Sequence, residues 1–143
     1  METEIKMLND IHQNADMGQD TLRHVLAASH DREFSDVIRK QMEGYEAAFR
    51  ESGQMLAARN MQEEKEAPMM SKLMARMNIS HKGMQEEPVS KLAQMVMQGG
   101  MMGVTELTRQ IHDYDGSDKE VLDFAKKQLK REEKNIEELK KFL

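Results

Sequence analysis

The chain contains no cysteine and no tryptophan, and its only prolines are Pro68 and Pro88. The first absence excludes disulfides, thiolate zinc centres, thiol catalysis and iron–sulfur clusters. The scarcity of proline leaves residues 1–67 and 89–143 free of the commonest helix breaker. Six valines, six isoleucines and four threonines in 143 residues are too few to fill the strands of a sandwich or barrel. No apolar run approaches the roughly 20 residues needed to span a bilayer, and the N-terminus lacks the apolar block of a signal peptide. Basic surplus is missing too. The net charge is −5, so nucleic acid is not an expected partner. An all-α protein, one domain over residues 1–143, without membrane contact and in the cytoplasm, is the expectation that remains.

What is present is helical periodicity. A first helix is expected over about 3–28, with Leu8, Ile11, Ala15, Gly18, Leu22 and Val25 on its inward seam. A second is expected over 31–63, with Phe34, Ile38, Gln41, Tyr45, Ala48, Ser52 and Met55. A third, 88–114, offers two registers, one through Leu92, Val96, Gly99, Gly103 and Glu106, the other through Met97, Gly100, Val104, Leu107, Ile111 and Tyr114. The last, 118–143, carries Leu122, Ala125, Leu129, Glu132, Ile136, Leu139 and Leu143. Steps of three and four residues are the seam of helices packing at a shallow angle. Ser29 and Asp31 offer caps for the second helix, Gly116 reads as the C′ residue of the third, and Ser117 with Glu120 reads as a capping box for the last. Connections as short as 29–31 and 115–117 force antiparallel neighbours. The crossover 67–88 is long enough to return along the bundle and holds a short helix at 69–77. The predicted architecture is an up-down-down-up four-helix bundle with one long crossover.

The first hairpin, from Gly18, Leu22 and Arg23 through Phe34 to Glu43 and Phe49, and the run Leu129–Leu139 carry a resemblance to bacterial ferritin-like proteins, in particular small four-helix domains of unknown function. That resemblance implies two metal ions held by a glutamate from each of two helices and a Glu-x-x-His pair from each of the other two. In this chain Glu132 is followed by Asn135 where the histidine belongs. The second helix offers Gln41 with Gly44, or off-seam Glu43 with Glu46. Gly18 faces inward from the first helix, and Gly99, Gly100 and Gly103 from the third. The resemblance therefore implies a bundle without a complete dinuclear site and without a cofactor, a non-catalytic binding or structural module. The alternative is iron or manganese handling, or an oxidase, through Glu132 and Glu106.

Counting residues from one end of the bundle places Glu132, Gln41 and the glycines at one level, with Tyr45 a turn away. Gln41 or Tyr45 is expected to donate to Glu132, directly or through a water, because an isolated buried charge is costly. His12, Asp16, Asp20 and His24 form an i, i+4 ladder of metal-ligand types, but at 100° per residue they lie roughly 90° or more from the seam centre. A solvated stripe is the favoured reading. Nine of the fifteen methionines fall between residues 69 and 102. Met74, Met77 and His81 would suit a soft metal such as Cu(I). Adaptable packing or a partner surface is favoured, and it motivates the expectation of a homo-oligomer.

Overall fold

The computed structural model describes residues 2–61 and 87–143. It contains four long helices and, among the described residues, no strand: α1 (Glu2–Ala28), α2 (Arg32–Ala58), α3 (Val89–Asp113) and α4 (Lys119–Leu139), followed by a 3₁₀ turn, Lys140–Phe142. The crossover helix at 69–77, and with it Met74, Met77 and His81, lies outside the described residues.

Local chemistry sets the boundaries. Asp31 caps α2 by accepting the Phe34 N–H at 2.8 Å. The helix stops at Ala58, five residues short of the expected 63. Asn60 adopts a left-handed φ of 60°, its N–H donates to the Ala57 carbonyl, and the Met61 N–H donates to that of Leu56. These are the two bonds of a Schellman cap, with asparagine in the place glycine usually takes. Beside the cap, Arg59 donates through Nε and Nη2 to Asp118 at 3.1 and 2.9 Å, and through Nη2 to Glu120 at 3.2 Å. The end of α2 is thereby tied to the start of α4. The cap of α4 also differs from the expected Ser117–Glu120 box: Asp118 accepts the Val121 N–H at 3.3 Å. The Tyr114 hydroxyl accepts the Asp118 N–H at 2.8 Å and donates to Glu4 at 3.0 Å, which positions the capping carboxylate. Gly116 is not a C′ residue, since α3 ends at Asp113, three residues earlier, and no described glycine has positive φ.

Burial follows the predicted seams closely in α1 and α2. All six seam residues of α1 are buried, as are those of α2 apart from half-buried Met55. Both registers of α3 are partly buried, with Leu92, Gly99, Gly100 and Leu107 innermost. In α4 the buried line runs through Val121, Phe124, Ala125, Gln128, Glu132 and Leu139, so Leu122, Leu129 and Ile136 lie at its edge. Leu143, expected on the seam, is 62% exposed because the chain tightens into the 3₁₀ turn after Leu139. One apolar cluster joins Val25, Ala28, Phe34, Ile38, Leu92 and Leu139. A second joins Ile5, Leu8, Ile11, Leu56, Leu107, Val121 and Phe124. No helix among the described residues is long and apolar enough to cross a membrane.

Candidate functional site

Toward the middle of the helices the apolar clusters give way to a polar layer around Glu132. Burial of a carboxylate is tolerable only with donors at hand. The Tyr45 hydroxyl donates to Glu132 Oε2 at 2.8 Å, and Gln128 Nε2 reaches Oε1 at 3.5 Å. Gln128 lies one turn before Glu132 on the same helix, a spacing that would have revealed it in the sequence. Gln41 faces α4 as expected but donates elsewhere, to the Asn135 carbonyl at 3.1 Å. The structure thus brings Gln41, Tyr45 and Glu132 together at the α2–α4 contact, with tyrosine alone of the two as the donor to the carboxylate.

Two glycines make this packing possible. A Cβ on Gly18 would stand 3.0 Å from the Tyr45 ring, so α1 presents bare backbone to the tyrosine and lets its hydroxyl reach α4. A Cβ on Gly100 would meet Ile136 at 3.1 Å, so α3 approaches α4 closely one turn away from Glu132. The glycine run of α3 therefore serves helix contact.

Burial pushes the Glu132 carboxyl up to about 7, with the Tyr45 and Gln128 hydrogen bonds acting in the other direction. Burial, and then the facing carboxylate, push the Tyr45 hydroxyl well above the usual tyrosine range. Tyr45 is therefore a neutral donor at any physiological pH.

Beside Glu132 lies a small cavity of about 20 Å³. That is room for about one water molecule. Glu106 lines it, as do Asp10, Gln110 and Gln128. Glu106 is paired with Arg109 at 2.9 Å, and Asp10 accepts from Lys6 and Gln110. Nothing in the periodicity pointed to Asp10 or Gln110, which meet across one hundred residues of sequence. Among the described residues no three His, Asp or Glu side chains are grouped to hold a metal ion.

The ladder on α1 divides. His12, expected on a solvated stripe, is buried: it stacks on Phe49 at 4.1 Å between ring centroids, with Nδ1 2.9 Å from Ser52 Oγ and 3.1 Å from the Phe49 carbonyl. The carbonyl only accepts, which favours the tautomer protonated at Nδ1. The correction has a simple cause. Residue 12 lies one turn from Leu8 and flanks the seam, and α2 packs over that flank. Asp16 is exposed, and Asp20 pairs with Arg23 at 3.2 Å and His24 at 3.6 Å.

Over the described residues, fold and site define an all-helical arrangement of four long helices with a buried carboxylate, Glu132, in its polar layer. No protein-family model, curated protein or solved structure matches the chain.

Proposed function

We propose that this chain is a ferritin-like bundle, its helices running up-down-down-up, that works as a non-catalytic binding or structural module and associates with itself. The observation that carries the reading is the Tyr45–Glu132 hydrogen bond. At the level where the ferritin-like resemblance calls for a cluster of carboxylates and histidines, the acid of α4 is met by a neutral hydroxyl and an amide. Two neutral donors around a single carboxylate leave the site short of the several anionic oxygens that a metal centre needs. The cysteine-free composition suits the cytoplasmic setting that belongs to this proposal.

The helix directions are supported by the make-up of the two apolar clusters. One unites the end of α1 with the starts of α2 and α3 and the end of α4, the other the opposite ends. A 27-residue helix is about 40 Å long at 1.5 Å per residue. Residues 62–86 can extend over about 80 Å, enough to return along it. Spin labels at Asp31 and Pro88 are expected to lie close together compared with that length. A separation near 40 Å would instead indicate a simple up-and-down connection.

The metal question has a direct test. Protein expressed in medium rich in iron and manganese, purified without chelators, is expected to carry neither metal in stoichiometric amount by elemental analysis. One bound ion per chain that disappears in Glu132→Gln would overturn the proposal in favour of iron or manganese binding through Glu132 and Glu106.

A further inference from the structure

The outward stripe of α3 reads Lys91, Gln94, Gln98, Met101, Thr105 and Arg109, all exposed, at steps of three and four. Between Lys91 and Glu106 the helix carries no charged residue, in a chain of which 33% is charged. The exposed faces of the neighbouring long helices are different. That of α2 presents Asp36, Arg39, Lys40, Glu43, Glu46 and Arg50, and that of α4 presents Lys126, Lys127, Lys130, Glu133 and Lys134. Met101 is 50% exposed, the one large apolar side chain so exposed within a described helix. Met97, Met102 and Val104 lie half-buried around it.

We propose that the uncharged outward face of α3, from Gln94 to Thr105, is the surface on which a second copy of this chain docks. The proposal rests on the self-association included in the proposed function and names its surface. In a two-fold interface each residue meets its own neighbourhood on the other copy, so the surface has to be complementary to itself. The lysine-rich face of α4 would set lysine against lysine, and each chain repels its copy through a net charge of −5. The middle of α3 sets glutamine against glutamine and methionine against methionine, with no charge to strip of water. Methionine adapts its shape to such a contact, and Met101 stands exposed on this face with Met97, Met102 and Val104 half-buried beside it. The stretch is about 17 Å long at 1.5 Å per residue. A contact of that length is smaller than the specific interfaces that bury about 1,200 Å² or more in total, so the dimer is a weak one. The dimer is accordingly concentration-dependent.

Sedimentation velocity over a series from micromolar to near-millimolar protein is the test. The wild-type chain is expected to pass from monomer to dimer. Met101→Glu, which places like charges opposite each other, is expected to weaken association at least about tenfold while the helical circular dichroism stays unchanged. Because the chain has no cysteine, Gln98→Cys supplies a second readout: oxidation is expected to link two copies through it, whereas Lys130→Cys on α4 stays unlinked. A wild-type chain that remains monomeric throughout would overturn the proposal together with the self-association beneath it. A dimer indifferent to Met101→Glu, with no cross-link at position 98, would overturn the α3 surface alone.

Discussion

At pH 8 the Glu132→Gln variant is expected to be more stable than the wild-type chain by about 3 kcal/mol, and this advantage is expected to fade as the pH is lowered toward 5. The carboxyl of Glu132 titrates near 4.5 when the chain is unfolded and at about 7 in the folded protein. A group whose folded value is raised contributes stability in full below the unfolded value and loses it as the pH rises through the folded one. At about 1.4 kcal/mol per pH unit, the displacement from 4.5 to about 7 amounts to about 3 kcal/mol. Glutamine keeps the shape and the acceptor for Tyr45 but never ionises. Urea denaturation at pH 5, 6, 7 and 8 measures the difference directly. A wild-type stability that does not fall between pH 5 and 8 relative to the variant would show that Glu132 is solvated or paired in the folded protein. Tyr45→Phe provides the companion measurement. It removes the 2.8 Å donor, so its cost, about 1–3 kcal/mol, is expected to be greater at pH 8 than at pH 5. Asp118 works in the opposite direction at lower pH. The Arg59 guanidinium holds its carboxyl below the usual range, so that contribution is present at neutral pH and lost only on strong acidification.

Phe34→Ala is expected to cost about 3–5 kcal/mol, the range for removing a buried aromatic ring from a packed core. Phe34 is fully buried in the cluster formed by Val25, Ile38, Leu92 and Leu139. Its ring also meets that of Phe142 edge-on, with centroids 5.1 Å apart. The substitution would therefore open a cavity where the α1–α2 hairpin meets the start of α3 and the end of α4, and would free the C-terminal 3₁₀ turn of its aromatic contact. Its cost should be independent of pH between 5 and 8, which separates it from the Glu132 effect. Met101→Ala is the control, because a side chain half in water loses little, within about 0.5 kcal/mol. Equilibrium urea denaturation of both variants checks the pair, and a loss below about 1 kcal/mol for Phe34→Ala would contradict the assigned packing.

Several features of the protein were legible one residue at a time. The scarcity of proline and β-branched residues is enough to select helices. The three-and-four spacing that runs from Leu8 to Val25 is enough to select which side of α1 is buried. The same arithmetic, counted along helices of known rise, brings Glu132 and Tyr45 to neighbouring levels, because a helix converts sequence distance into length at a fixed rate.

Contacts between helices obey no such rule. Gln41 and Tyr45 stand one turn apart and present similar credentials to α4, yet only the tyrosine reaches the carboxylate. The decision belongs to Gly18 on α1, whose missing side chain leaves room for the ring. His12 looked solvated because a seam count treats each helix as having one partner, and α2 covers the flank that the count left open. The end of α2 and the start of α4 were likewise settled by each other, through Arg59 and Asp118. Local periodicity was enough for the existence of the four helices, the inward faces of α1 and α2 and the level of the buried acid. The tertiary structure alone decided which polar groups that acid meets, because a hydrogen bond depends on the angle and distance at which two helices happen to pack.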